Sequence, residues 1–164
     1  MTGFPRSPEH LHLLLNHLPL TGLAIANLGL LMGLVFRSRA AQVCTLWLVL
    51  LCAGSAWPVY LTGKAGYRDI RRIADEPGMD YLDEHLDRAD RFTLAYAPAA
   101  VLALAGLALP HFWPKSRTLL ALLAFLGSTV ALAAGTYIAE AGGKVRHLEI
   151  RPKPSDAPEV QPSD

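Results

Sequence analysis

Apolar residues along this chain fall into four blocks, 13–36, 43–62, 92–109 and 119–141, separated by polar stretches. A helix that crosses a bilayer needs about 20 residues, and the blocks match that length. No charged residue interrupts them before Glu140, near the end of the last. The pattern predicts an all-α fold, an integral membrane four-helix bundle. The connections at 37–42 and 111–117 are short, so the blocks pair as two antiparallel hairpins. An even number of spans puts both termini on the same side as the long connection at 64–91.

That long connection carries both charge signs and reads as a short extramembrane helical segment between spans 2 and 3. Asp80 suits a helix N-cap, with Glu84 four residues on. Leu82, His85, Ala89, Phe92 and Tyr96 then recur at helical spacing and form one face running into the third span. The opposite face carries Asp83, Glu84, Asp87, Arg88, Asp90 and Arg91, which suits solvent. Residues 1–150 are read as the four-helix domain. Residues 151–164 hold four prolines among Ser, Asp and Glu and read as a disordered Pro-rich tail.

Composition supports this division. Of 164 residues 52% are apolar, and the formal net charge is +1. There is no global basic field, so nucleic acid is not expected as a partner. Cys44 and Cys52 share one apolar block about 12 Å apart along a helix, too far for a disulfide. No Cys-x-x-Cys-His occurs, which excludes a covalently attached c-type haem. Nor is there a nucleophile elbow, a P-loop or a His-Glu-x-x-His motif, so an enzyme in the hydrolytic sense is not expected. The first block lacks a cleavage site and reads as a retained signal anchor. The short loops carry Arg37, Arg39, Lys115 and Arg117 without acids, and we read them as cytoplasmic, with the termini periplasmic. A raw Lys and Arg count points the other way.

Small residues mark one face of two spans: Gly22, Ala26, Gly29 and Gly33 on the first, and Gly127, Ala131 and Gly135 on the fourth. Such faces let helices approach closely in lipid; the same groove can admit a flat cofactor. The histidines add chemistry to this picture. Of six, His10, His12, His17, His85 and His147 fall at one end of the predicted bundle, and only His111 lies at the other, beside Trp113 and Pro114. A bis-imidazole haem needs two histidines on facing helices, which His17 with His85 or with His147 would provide. His12 and His17 point about 140° apart on a helix, so they cannot bind one iron from opposite sides.

The surroundings suit a cofactor. Pro19, Pro58 and Pro98 lie inside their spans, where proline kinks a helix and opens space. Asn16 and Thr21 offer hydrogen bonds to an imidazole, and Trp57, Tyr60, Tyr96 and Tyr137 can wall a pocket. Arg68, Arg71 and Arg72 suit haem propionates or form a solvated basic patch. Glu140 sits near the last span's end, where ionisable groups mark function or simply reach water.

Three segments carry a resemblance. His12-Leu-Leu-Leu-Asn-His17-Leu-Pro19 resembles the opening motif of a widespread bacterial family of four-helix membrane proteins of unknown function, a His-x4-His-x-Pro pattern. His85 ahead of the third span, followed by Arg88, resembles its second marker. Gly142-Gly143 followed by His147 resembles its ending. Members of that family occur fused to Rieske iron–sulfur or c-type cytochrome domains. The resemblance therefore implies electron transfer at the bacterial inner (cytoplasmic) membrane, and haem rather than zinc.

The reading is a membrane-embedded b-type cytochrome with one or two haem b groups near one interface. Its axial ligands are His17 and His85, with His12 and His147 as a second pair or as supporting residues. It would relay electrons between a quinone or membrane partner and a Rieske or c-type cytochrome acceptor; a homo-oligomer is left open. Two rivals remain: a membrane copper- or zinc-binding protein using His10, His12, His17, His85 and nearby Glu9 or Glu84, and a cofactor-free anchoring subunit of a redox complex.

Overall fold

The computed structural model describes residues 7–152, and these are helical almost throughout, with no strand among them. Four long helices, Pro8–Val35, Arg39–Ile73, Glu76–His111 and Pro114–Arg146, are each long and apolar enough to cross a membrane. Each runs well past its apolar block. Large apolar side chains such as Ile25, Leu28, Leu51, Val101, Leu122 and Val130 point outward, an exterior suited to lipid rather than water.

Proline interrupts three of the four. The first long helix divides into α1 (Pro8–Leu15), a π-helical turn Leu18–Gly22 containing Pro19, and α2 (Leu23–Val35). The second divides at Ser55 into α3 (Arg39–Gly54) and α4 (Ala56–Ile73), three residues before Pro58. The third divides into α5 (Glu76–Phe92), a 3-10 turn Thr93–Ala95 and α6 (Tyr96–Ala108), two residues before Pro98. A proline has no N–H for the carbonyl one turn earlier and its ring crowds that carbonyl, so each break falls just ahead of or around the proline. The fourth helix, α7 (Arg117–Arg146), has no proline and is continuous over 30 residues.

The breaks divide the molecule into two regions. In one, α2, α3, α6 and α7 close into a ring of packed neighbours. Its core is built from small and medium residues: Leu23, Ala26, Leu30, Leu46, Ala99, Ala103, Ala121 and Ala131 are all essentially inaccessible. The small faces of spans 1 and 4 serve close approach, as Gly29 against Thr45 and Gly127 against Ala99 show. A polar clip crosses this core. Asn27 Nδ2 donates to Thr129 Oγ1 at 3.0 Å, and Ser128 Oγ donates to Asn27 Oδ1 at 2.5 Å. Its satisfied groups tie span 1 to span 4 where an apolar contact would gain little over lipid.

In the other region the helices separate into two pairs, α1 with α4 and α5 with α7, and contacts between the pairs are sparse. The predicted start of the middle helix is corrected. The helix begins at Glu76 with Asp75 at its N-cap, and Asp80 lies inside its second turn; Pro77 suits the first turn, where its missing N–H is not needed. The segment between spans 2 and 3 is thus the end of α4, a tight turn and α5. Arg151 anchors the chain after α7, bonding Asp75 at 2.5 and 2.9 Å and the carbonyls of Lys144 and Val145. Arg151 is thus held against the helices, and residues 153–164 of the expected 151–164 tail lie outside the described residues.

Candidate functional site

Two histidines meet edge-on between the helix pairs. His12 of α1 and His85 of α5 have ring centroids 6.3 Å apart, with planes at 80°. Each ring is held from behind by the second helix of its own pair. His12 Nδ1 lies 2.9 Å from the carbonyl of Val59 on α4, and His85 Nδ1 lies 2.9 Å from the carbonyl of Ile138 on α7. A carbonyl oxygen only accepts, so Nδ1 carries a proton in both rings, and in the neutral tautomer this selects, the lone pair is on Nε2. No hydrogen bond among the described residues engages either Nε2.

A glycine one turn beyond each carbonyl makes room for the ring. A Cβ at Gly63 would stand 2.7 Å from His12 Nδ1, and one at Gly142 would stand 2.9 Å from His85 Nδ1. Both are closer than side-chain carbons come in real packing, so neither ring fits behind a larger residue. The two halves of the site thus repeat one device: a histidine on the first helix of a hairpin, with a carbonyl and then a glycine four residues on in the second helix. Gly142 thus lies against His85, and Gly63 is its counterpart that sequence reasoning missed.

The pairing differs from the one expected. His17 is exposed on the outward face, and His12 takes the place facing His85. His12 lies on the line that continues through Asn16 and Pro19 to the buried Leu23, Ala26 and Leu30, which is the inner face of span 1. His17, about 140° away, is turned out. His147 is also outside the pair: it is exposed and meets Glu149 Oε1 at 2.9 Å. His10 is exposed beside Ser7, and His111 lies at the opposite end of the molecule. Thr21 is exposed, so it does not support a ring.

Asn16 stays at the site. Among the described residues its Oδ1 is buried without a partner, one turn from His12, as is Glu9 Oε2 one turn on the other side. Arg68 is exposed. Arg71 bonds Asp83, and Arg72 bonds Asp69 at 3.2 Å, so neither guanidinium is free of an acid partner. The basic residue buried near His85 is Arg88, which sequence reasoning assigned to solvent. It donates to the Tyr137 carbonyl at 2.6 Å, to Glu84 at 2.5 Å and to Glu140 at 3.1 Å, and its guanidinium lies 3.9 Å from the Tyr137 ring centre. Its Nε has no partner. Glu140 also takes Lys144 at 2.6 Å, so this acid at the end of the last apolar block belongs to an ion-pair network. Its spacing of three from His85 places Arg88 on the inward flank of α5, a signal available in the sequence.

The aromatic residues divide. Tyr96 is buried beneath the site, whereas Trp57 and Tyr137 are exposed, and Tyr60 bonds Asp90 at 2.7 Å. Ala53, Trp57, Tyr96 and Ala100 border a cavity of about 240 Å³ at the level of the Pro58 and Pro98 breaks. At the foot of the site, hydrogen bonds from Arg151 hold the Asp75 carboxyl below its ordinary range.

Two imidazoles on opposite sides of one metal, with bonds of about 2 Å, have ring centres about 6 Å apart. The separation of His12 and His85 fits that requirement, and their free Nε2 atoms have the right chemistry. Among the described residues no three His, Cys, Asp or Glu side chains converge on a metal-sized space. The arrangement is a pair of imidazoles. Comparison with known proteins finds no family model, no characterised protein and no solved structure that matches this chain.

Proposed function

We propose that this chain is a multi-pass membrane b-type cytochrome in which His12 and His85 are the two axial ligands of one haem. The observation that carries the reading is the facing pair of imidazoles, each fixed in its Nδ1–H form by a backbone carbonyl of a second helix. A haem iron takes two neutral imidazoles from opposite sides and needs a slot for the macrocycle between them. Contacts between the α1–α4 and α5–α7 pairs are sparse, and the macrocycle would enter between them. Hydrogen bonds at Nδ1 orient each ring and raise its basicity as a ligand.

Bound haem would supply one-electron chemistry, passing electrons between a membrane donor such as a quinone and a soluble or membrane acceptor of the Rieske or c-type cytochrome kind. The chain's own residues hold and tune the group. Arg88 supplies a buried cation one turn from His85, partly offset by Glu84 and Glu140. Asn16 and Glu9 offer unpartnered oxygens on the His12 side. His17 and His147, exposed as they are, support one haem rather than two. Zinc or copper held by protein side chains alone would need three or four ligands together, so haem is favoured over a bare metal.

The test is an oxidised and dithionite-reduced optical spectrum of detergent-purified protein, expressed with ample haem, with a pyridine haemochrome assay. The expected result is a sharp reduced α-band and one b-type haem per chain. A colourless protein under those conditions overturns the reading.

A further inference from the structure

The opposite end of the molecule carries a second cavity, of about 340 Å³, between the start of α3 and the end of α6. Arg39, Gln42, Trp47, His111 and Arg117 border it, with apolar walls from Leu46 and Leu107 among others. Gln42 is only 5% exposed. Its Nε2 donates to the Gly33 carbonyl at 3.0 Å, which fixes the orientation of the amide. Its Oε1 is buried and has no partner among the described residues. A buried acceptor left empty costs about 1–3 kcal/mol, which a donor on a bound molecule would offset.

The charges point the same way. All nine ion pairs among the described residues lie at the histidine end. Arg39 and Arg117 belong to none of them, and the loops around them hold no acid. Two guanidiniums outside every ion pair among the described residues, beside Trp47 and an apolar wall, suit a phosphodiester at the membrane surface. The orphan Gln42 oxygen adds a demand for a hydroxyl on the same molecule.

We propose that this cavity binds the headgroup of an anionic phospholipid that carries a hydroxyl, of the phosphatidylglycerol type. Arg39 and Arg117 take the phosphate, Gln42 Oε1 accepts from the glycerol hydroxyl, and the acyl chains leave past Leu46 and Leu107. This rests on the membrane setting proposed above and not on haem.

The test reconstitutes the full chain into phosphatidylcholine nanodiscs containing a minor fraction of phosphatidylglycerol, then counts retained lipids by native mass spectrometry after detergent release. Co-flotation with vesicles first establishes membrane insertion independently, so a failure of the membrane reading is seen separately. The expected result is one phosphatidylglycerol per chain. Arg39→Gln with Arg117→Gln lowers retention about tenfold, the loss of about 1.4 kcal/mol. The charge-matched control, Arg37→Gln with Lys115→Gln, leaves retention within about twofold, because these residues do not border the cavity. Phosphatidylmethanol keeps the phosphodiester and lacks the hydroxyls, and it is retained severalfold less well; Gln42→Met abolishes that preference. Equal retention of phosphatidylcholine, an equal loss in the control pair, or displacement by millimolar inorganic phosphate would overturn the proposal.

Discussion

The two ends of this molecule solve different problems with the same four helices. In the α2–α3–α6–α7 half, alanine and glycine let backbones close on one another, and one polar clip sets the register of span 1 against span 4. In the α1–α4 and α5–α7 half, the helices stand apart as pairs, and each pair spends a glycine on seating a histidine rather than a neighbouring helix. The changeover occurs where Pro19, Pro58 and Pro98 interrupt three spans at similar depth. Helix packing in lipid has little hydrophobic drive, so a gap on one side must be compensated by close contact on the other.

This contrast can be broken most severely at the histidines. His12→Ala or His85→Ala should each abolish the haem absorbance, a complete loss, while His17→Ala leaves spectrum and haem content within error. A His17→Ala protein without haem, beside an intact His12→Ala protein, would reverse the assignment of the pair.

The ring seats come next. Gly142→Val places side-chain carbons where the His85 ring lies, which should displace the ring and remove most of the haem. Overpacking of this kind costs about 1–3 kcal/mol. Gly54→Val, at a glycine with nothing within 4 Å of its would-be Cβ, is the matched control and should keep full haem content. Haem-to-protein ratio reads both.

In the packed half the effect should appear in stability and not in colour. Leu30 is fully buried, and Leu30→Ala should cost about 1–3 kcal/mol, the cavity part of the usual penalty, since lipid replaces water as the reference. Thermal denaturation followed by helicity should fall by several degrees with an unchanged reduced spectrum. A shifted α-band would show that the two halves are coupled more tightly than the sparse contacts suggest.

The smallest effect concerns the strap at the foot of the splayed half. Asp75 has its carboxyl pKa lowered from 3.8 by hydrogen bonds from Arg151. A carboxyl depressed in the folded state contributes stability that is fully present above its unfolded value and is lost as pH falls through the folded value. Release of the chain after α7 should therefore begin only below about pH 4. Mild proteolysis between Arg146 and Arg151 should be flat from pH 7 to 5, and in Asp75→Asn it should be faster throughout that range. A wild-type rate that rises already at pH 6 would place the strap's control elsewhere.

Much of the candidate site was legible in the sequence, though not its pairing. The five histidines collected at one end follow from the alternation of apolar blocks and short loops. His85 on the inner face of α5 followed from its spacing with Leu82 and Ala89. The choice between His12 and His17 did not. Periodicity shows that the two point apart, and only the phase of span 1 against its neighbours shows which points inward. That phase can be traced backward from Leu30, Ala26 and Leu23 through Pro19, which favours His12. Arg88 was missed because its neighbours Asp87, Asp90 and Arg91 are charged, and a charged run reads as a solvated face. A buried arginine needs Glu84, Glu140 and the Tyr137 carbonyl around it, two of which come from a distant helix.

The sequence by itself determined the four apolar helices, the prolines that break three of them and the small faces that let the unbroken halves close. These are local properties, set by side-chain transfer energies, a missing N–H and the absence of a bulky Cβ. Only the tertiary structure decided which histidines meet, which arginine is buried and that Gln42 keeps an empty acceptor beside two unpaired arginines. Each of those depends on the rotation of one helix against another, which residue spacing along a single helix does not contain.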